Sequence, residues 1–137
     1  MSAELAVSYK LKTDSVIQQK CGNNPVRVFL NKRPQKMGLP AIVVRRYGTS
    51  PNNTKDGPSE LDETRVQVLL YVANLDTASY ELEARIRTVL DQVGVSGIVN
   101  GIDLESCTYE DDDQFPELID NQEVNVFEHI YKTLIKR

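Results

Sequence analysis

One histidine, two cysteines, an adjacent arginine pair and a run of four acidic residues are the groups in this 137-residue chain that could do chemistry. His129 is the single imidazole. It falls in a stretch that alternates like a strand and has no obvious partner, so a structural or surface role is expected rather than general acid–base work. Cys21 and Cys107 belong to no CxxC and no Cys/His cluster, which removes structural zinc. They read as two buried free thiols, with a disulfide as the alternative that only a distance decides. Glu110 to Asp113 could attract a divalent cation, but the run lacks the Gly and the distant Glu of an EF-hand loop and reads as a solvated acidic turn. Arg45 and Arg46 could touch phosphate. Adjacent strand residues face opposite ways, however, and a lone basic pair is usually a surface or ion-pair feature. Asn52-Asn53-Thr54 has the spacing of a glycosylation acceptor, without weight in a chain expected to be used without export. No G-x-S-x-G, phosphate-binding loop or G-x-G-x-x-G is present. No catalytic residue, metal site or cofactor is therefore expected.

The elements that would position these groups are those of one domain spanning residues 1–137. Hydrophobic residues are 40% of the chain, enough for a core, and charged residues 26%, the level of a soluble surface. No apolar run approaches the roughly 20 residues of a membrane span, and residues 1–12 lack the basic leader and apolar block of a secretory signal. The net charge of −4 is unevenly divided: residues 1–60 hold 10 Lys/Arg against 4 Asp/Glu, and residues 61–137 hold 6 against 16. Oppositely charged halves can meet within one fold, or form the unlike faces of a head-to-tail contact between identical subunits. An acidic total disfavours nucleic-acid binding by the whole surface.

Glu4–Gly22 reads as helical, interrupted at Thr13-Asp14-Ser15, with Asp14 placed to cap a second short helix ending at Gly22. Val26–Leu30 is a short strand, and 31–39 a basic loop. Pro40–Tyr47 is a strand, Gly48–Asp62 a long polar loop, and Glu63–Asn74 a strand with Val66, Val68, Leu70 and Val72 on its core face. Its other face (Arg65, Gln67, Leu69, Tyr71) is half polar, either covered by a neighbouring subunit or simply exposed. Asp76 opens a helix whose stripe is Ala78, Leu82, Ile86, Val89, Leu90 and Val93, ended by Gly94 and Gly97. Glu81–Arg85 and Glu83–Arg87 are expected i,i+4 pairs on its wet side. Ile102–Tyr109 is a strand, the acidic turn and 114–122 a connection, and Val124–Ile135 the last strand. The sum is an α+β fold: a largely antiparallel β-sheet with two main helices packed on one face and a long projecting β-hairpin loop.

These segments resemble the small tail-completion, or tail-terminator, proteins of long-tailed bacteriophages. The resemblance runs through Val7–Ser15 with its Asp at the break, Val26–Phe29 and Pro40–Val44. It is strongest at Asp56–Ser59, Thr64–Val68 and the helix Tyr80–Leu90, and it includes a closing hairpin around an acidic turn. Two departures are Leu30-Asn31, where that family often has Tyr-Pro, and a longer 111–122 connection. The resemblance implies a non-enzymatic virion part: a homo-oligomeric ring, commonly of six subunits, that caps the tail tube, ends its growth and meets the neck or head connector. DNA would pass through the lumen without specific binding, and no membrane is involved. The candidate subunit or tube contacts are Arg27, Lys32, Arg33, Lys36, Arg45, Arg46, Asn52, Asn53, Lys55, Asp56, Asp111, Asp112 and Asp113. Arg27, Lys32, Arg33 and Lys36 would face Asp111–Asp113 of the next subunit, and the 48–62 loop would order against a neighbour or the tube. The rival reading is a small cellular α+β ligand-binding or regulatory domain, which would need a concave apolar pocket.

Overall fold

Two helices open the chain, α1 (Ala3–Thr13) and α2 (Ser15–Cys21), and the residue between them explains the break. Asp14 has an extended backbone, and its carboxylate accepts the Ile17 N–H at 3.1 Å, capping α2 as the sequence suggests. Gly22 ends α2 with φ 89°, a conformation open to a residue without Cβ. The computed structural model describes residues 3–22, 26–32, 38–54, 57–91, 97–99, 102–119 and 121–136, and at 48–54, 57–62, 97–99, 102–106 and 135–136 the backbone alone.

The remaining elements are β1 (Val28–Leu30), β2 (Ala41–Thr54), β3 (Gly57–Val72), α3 (Thr77–Leu90), β4 (Gly97–Val99), β5 (Ile102–Ile119) and β6 (Gln122–Lys136). The strands form one sheet in the order β1-β2-β3-β6-β5-β4. Among the described residues only the β1–β2 pair is parallel. All three helices contribute to a single apolar layer on one face. Leu11, Ile17, Leu82, Ile86 and Leu90 meet Ile42, Val44, Val66, Val68, Leu70, Phe127 and Tyr131 there. Burying Leu82, Ile86 and Leu90 is worth on the order of 5–8 kcal/mol before entropy, an upper value for holding α3 on the sheet.

The opposite face is not half wet. Leu69 and Tyr71 are buried with Val43, Val124 and Val126, and Phe29, Leu39, Phe115 and Ile119 pack around them. This small second core is built within one subunit, so covering Leu69 and Tyr71 needs no neighbour.

Three boundaries differ from the expected ones. Gly48–Asp62 is not a loop: β2 and β3 stay paired from Gly48↔Arg65 to Thr54↔Gly57. β6 accompanies β3 only as far as Leu61↔Lys136. Beyond that point, among the described residues, β2 and β3 pair only with each other, and the apolar alternation that signals a strand is missing from the sequence. Second, Glu110–Asp113 is not a turn but the middle of β5: Glu110 sits at a bulge, and Asp111–Asp113 pair with Ile130–Glu128 of β6. The turn falls at Asn121, between the paired Ile119 and Gln122, with φ 64°, tolerable for its short polar side chain. Among the described residues β4 covers the outer side of β5 only at 102–104, and the acidic run lies beyond that stretch, where charge is tolerated and blunts edge-to-edge pairing. Third, α3 stops at Leu90. The Asp91 N–H closes the last turn on the Arg87 carbonyl at 2.7 Å, Ala78 is exposed, and Gly97 lies in β4. Val93 and Gly94 lie outside the described residues.

The register sends the two hairpins in opposite directions. The β2–β3 arm leaves the sheet at the start of β3, whereas the β5–β6 tip continues past the end of β3, where Val72 pairs with Asn125.

Candidate functional site

The buried polar groups come first, because that is where catalytic chemistry would show. His129 is 4% exposed beneath α3. Its Nδ1 is 3.0 Å from the Tyr131 hydroxyl and its Nε2 3.5 Å from a Glu83 carboxylate oxygen. Tyr109 stands edge-on to both rings, with centroids 5.6 and 5.8 Å away, and the Arg87 guanidinium lies 4.0 Å over the Tyr109 ring. Burial pushes the imidazole pKa below its ordinary value, against the opposing pull of Glu83. Burial, helped by Asp112, raises the Tyr109 phenol to about 12, and Tyr131 is raised as well. A neutral imidazole takes a hydrogen bond from Tyr131 and gives one to Glu83, so the cluster ties α3 to β6. His129 therefore has partners that the sequence did not reveal, and its role is structural, as expected. Glu83 and Arg87 point to this cluster and to Asp91, while Arg85 forks onto Asp14 at 2.5 and 3.0 Å. In place of the expected i,i+4 pairs, Arg85 and Glu83 take tertiary partners, while Arg87 pairs one turn on with Asp91.

Cys21 and Cys107 are both free and buried. Burial pushes their thiols up to about 11 and about 12, which leaves little reactive thiolate. Among the described residues no group of three or more His, Cys, Asp or Glu side chains could hold a metal. An open groove of about 260 Å³ lies beside the start of α3, lined by Lys20, Pro40, Val72, Asp76 and Leu82. Its one carboxylate is occupied: Asp76 caps α3 by accepting the Ser79 N–H at 2.9 Å.

The surface is more telling. Strand order places the basic segment on the β1–β2 side and the acidic strand β5 on the other. The expected contact residues divide accordingly. Lys32 is exposed after β1, and Arg45 and Arg46 lie on β2; Asp111, Asp112 and Asp113 are exposed on β5. Several of these cations are already engaged. Arg27 Nε donates to the Pro40 carbonyl at 2.9 Å. Arg45 donates to Gln67, which donates in turn to Glu128, forming a polar row across β2, β3 and β6. Arg46 reaches Glu4 at 3.2 Å yet keeps its side chain 48% exposed. Asn52 and Asn53 lie on the β2 arm, with only their backbone described. Arg33, Lys36, Lys55 and Asp56 fall outside the described residues. Arg65 was not foreseen as a bridging residue: it spans two carboxylates, Glu63 at 3.1 Å and the β-bulge residue Glu110 at 2.8 Å.

The imidazole and both thiols are enclosed, and a hairpin arm leaves one end of the sheet. Residues 6–117 match the family described as tail completion protein gp17, and the chain belongs to that family. It is a structural protein of the phage tail, located in the virion at the tail or neck. No curated protein sequence matches the chain. Among solved structures, a chain from the virion of a native gene transfer agent (GTA) particle has a similar fold: TM-score 0.74 at 11% identity, covering 99% of this chain and 96% of that one. Another solved chain is similar at TM-score 0.53 and 10% identity, covering 97% and 96%.

Proposed function

We propose that the chain acts as one unit in a homo-oligomeric ring, six subunits in the simplest form, that caps the tail tube, stops its growth and presents its far face to the neck or head connector. The observation that carries this reading is the separation of charge across the sheet, basic at the β1–β2 edge and acidic along β5. A ring of identical subunits needs two unlike, complementary surfaces on each copy, and this arrangement supplies them. Lys32, Arg33, Lys36 and Arg46 of one subunit would approach Asp111–Asp113 of the next. The β2–β3 arm, including Asn52, Asn53, Lys55 and Asp56, would reach the neighbour or the tube. The body contributes rigidity and no chemistry, and DNA would cross the lumen without base-specific contact. That a chain of similar fold comes from a virion particle supports the reading. The cellular ligand-binding alternative is less favoured, because the described groove is open and its carboxylate already caps a helix.

Native mass spectrometry and negative-stain microscopy of the purified protein, alone and mixed with tail tubes, test the proposal. Closed rings, or monomers that close into rings on tube ends, are expected, and assembly should weaken as salt rises from 0.05 to about 0.5 M because the Debye length shortens. A protein that stays monomeric in both settings, or binds tubes along their sides without ending them, would refute it.

A further inference from the structure

Leu118 is 72% exposed, the most open of the large apolar side chains among the described residues. It stands on the β5–β6 hairpin beyond Val72↔Asn125, where β3 ends, and it pairs directly with the exposed Glu123. Paired residues share a face, with Cβ atoms about 5 Å apart. Counting by twos from Phe127, which meets Tyr80 of α3, puts both on the side of the sheet that carries the helices. The hairpin thus offers an aliphatic knob with a carboxylate beside it. At the same end of the sheet, the helix side holds a depression. The groove of about 260 Å³ runs between the start of α3 (Ala78, Leu82), the end of β3 (Val72, Ala73), Pro40 ahead of β2 and Lys20 of α2. Its lining is mainly aliphatic, and Lys20 is the one cation in it among the described residues. A closed cavity of about 150 Å³ takes a benzene molecule, so this volume admits a leucine side chain.

We infer that this groove receives the Leu118 knob of a second copy, with Glu123 set against Lys20. The contact rests on the ring reading above and gives neighbouring subunits an apolar seat. Three observations carry it. Leu118 does not fill the groove of its own chain: it is 72% exposed, and the order β2-β3-β6-β5 puts β6 between its strand and the groove wall. Knob and groove lie at one end and on one side of the sheet, the knob on the β5 half and the groove on the β2–β3 half. Subunits set side by side with β5 of one toward β2 of the next therefore bring knob to groove. The chemistry also matches, aliphatic surface to aliphatic surface and carboxylate to ammonium, while the groove's own carboxylate, Asp76, is engaged by the Ser79 N–H. Because the two surfaces differ, each copy gives one and takes one, and the contact runs head to tail.

Leu118→Cys and Ala78→Cys test the contact by distance. Oxidised together, the two single variants should give disulfide-linked dimers and nothing larger, and the double variant should give linked chains up to the full ring. Each single variant alone should stay unlinked, since Cys21 and Cys107 are buried. Analytical ultracentrifugation of variants with native circular dichroism supplies a second readout. Ala78→Trp, which fills the groove, and Leu118→Asp should each weaken association on the order of 10-fold or more. Glu123→Lys and Lys20→Glu should each weaken it about threefold, and the two together should restore it. If unmodified chains assemble while the cysteines never link and the variants assemble equally well, the docking is overturned and the ring stands. Leu118→Asp rings that close normally but no longer hold tubes would overturn it in favour of the tube as occupant. If unmodified chains never associate, alone or on tubes, the ring reading falls and this contact with it.

Discussion

Protonating His129 should destabilise this protein, and the size of the effect can be worked out. The imidazole is 4% exposed, accepts from Tyr131 at Nδ1 and faces Glu83 at Nε2, with Tyr109 against its ring and Asp112 and Arg87 nearby. Burial lowers its pKa in the folded state from the ordinary value of 6.5. The unfolded chain then binds the proton first, so stability is full above pH 6.5 and falls as pH drops from there toward the folded value. If the folded state took up no proton at all, the loss at pH 5.5 would be about 1.4 kcal/mol, the most a single site can lose one unit below its unfolded value. With a urea slope of about 1–3 kcal/mol per molar, the midpoint should move down between pH 7.5 and 5.5, by at most roughly 0.5–1.4 M. Because the chain has only this histidine, His129→Leu should abolish the shift. Tyr131→Phe removes only the hydroxyl, leaves Nδ1 without its donor inside the core, and should cost about 1–3 kcal/mol at pH 7.5. Urea titrations followed by far-UV circular dichroism measure all three quantities. A midpoint that stays level between the two pH values, or a Tyr131→Phe loss below about 0.5 kcal/mol, would refute the assignment of a buried, neutral, tyrosine-bonded imidazole.

Three further outcomes are expected. Asp14→Ala removes the cap of α2 and the partner of Arg85, so Tm should fall by roughly 3–5 °C, with Asp14→Asn in between because it keeps the cap. Since Arg85 and the Ile17 N–H hold the Asp14 carboxyl below its usual range, this contribution should be present above pH 3.8 and disappear as acid titration passes below it, as the Asp14→Asn comparison would register. Neither Cys21 nor Cys107 should react with Ellman's reagent at pH 8 until denaturant is added, after which two thiols should titrate; fast native labelling would contradict their burial. Deleting Pro51–Ser59 shortens the arm on the side away from β6, so the protein should keep its melting temperature within a few degrees while losing ring formation or tail attachment. Normal capping by the shortened protein would remove the arm from the assembly mechanism.

What the sequence determined by itself are the features set by neighbours along the chain. Asp14 and Asp76 are recognisable caps because an N-cap needs only a short acceptor before a helical run. The valine face of β3 and the Leu82–Ile86–Leu90 stripe follow from periods of 2 and 3.6. The burial of Cys21 and Cys107, the structural role of His129 and the α+β class were equally legible. Tertiary structure decided everything that depends on a partner distant in sequence. Residues 48–54 became a strand by pairing with 57–65, and Asp111–Asp113 by pairing with Ile130–Glu128, and a backbone ladder of this kind carries no side-chain signature in the sequence. Arg85 chose Asp14 over Glu81, and Glu83 turned to His129, because a partner already fixed and part-buried competes well with a mobile one on the same helix. The candidate contact surface divides in the same way. The two oppositely charged halves can be counted in the linear chain, but only the strand order sets β1–β2 and the acidic run of β5 on opposite sides of the sheet.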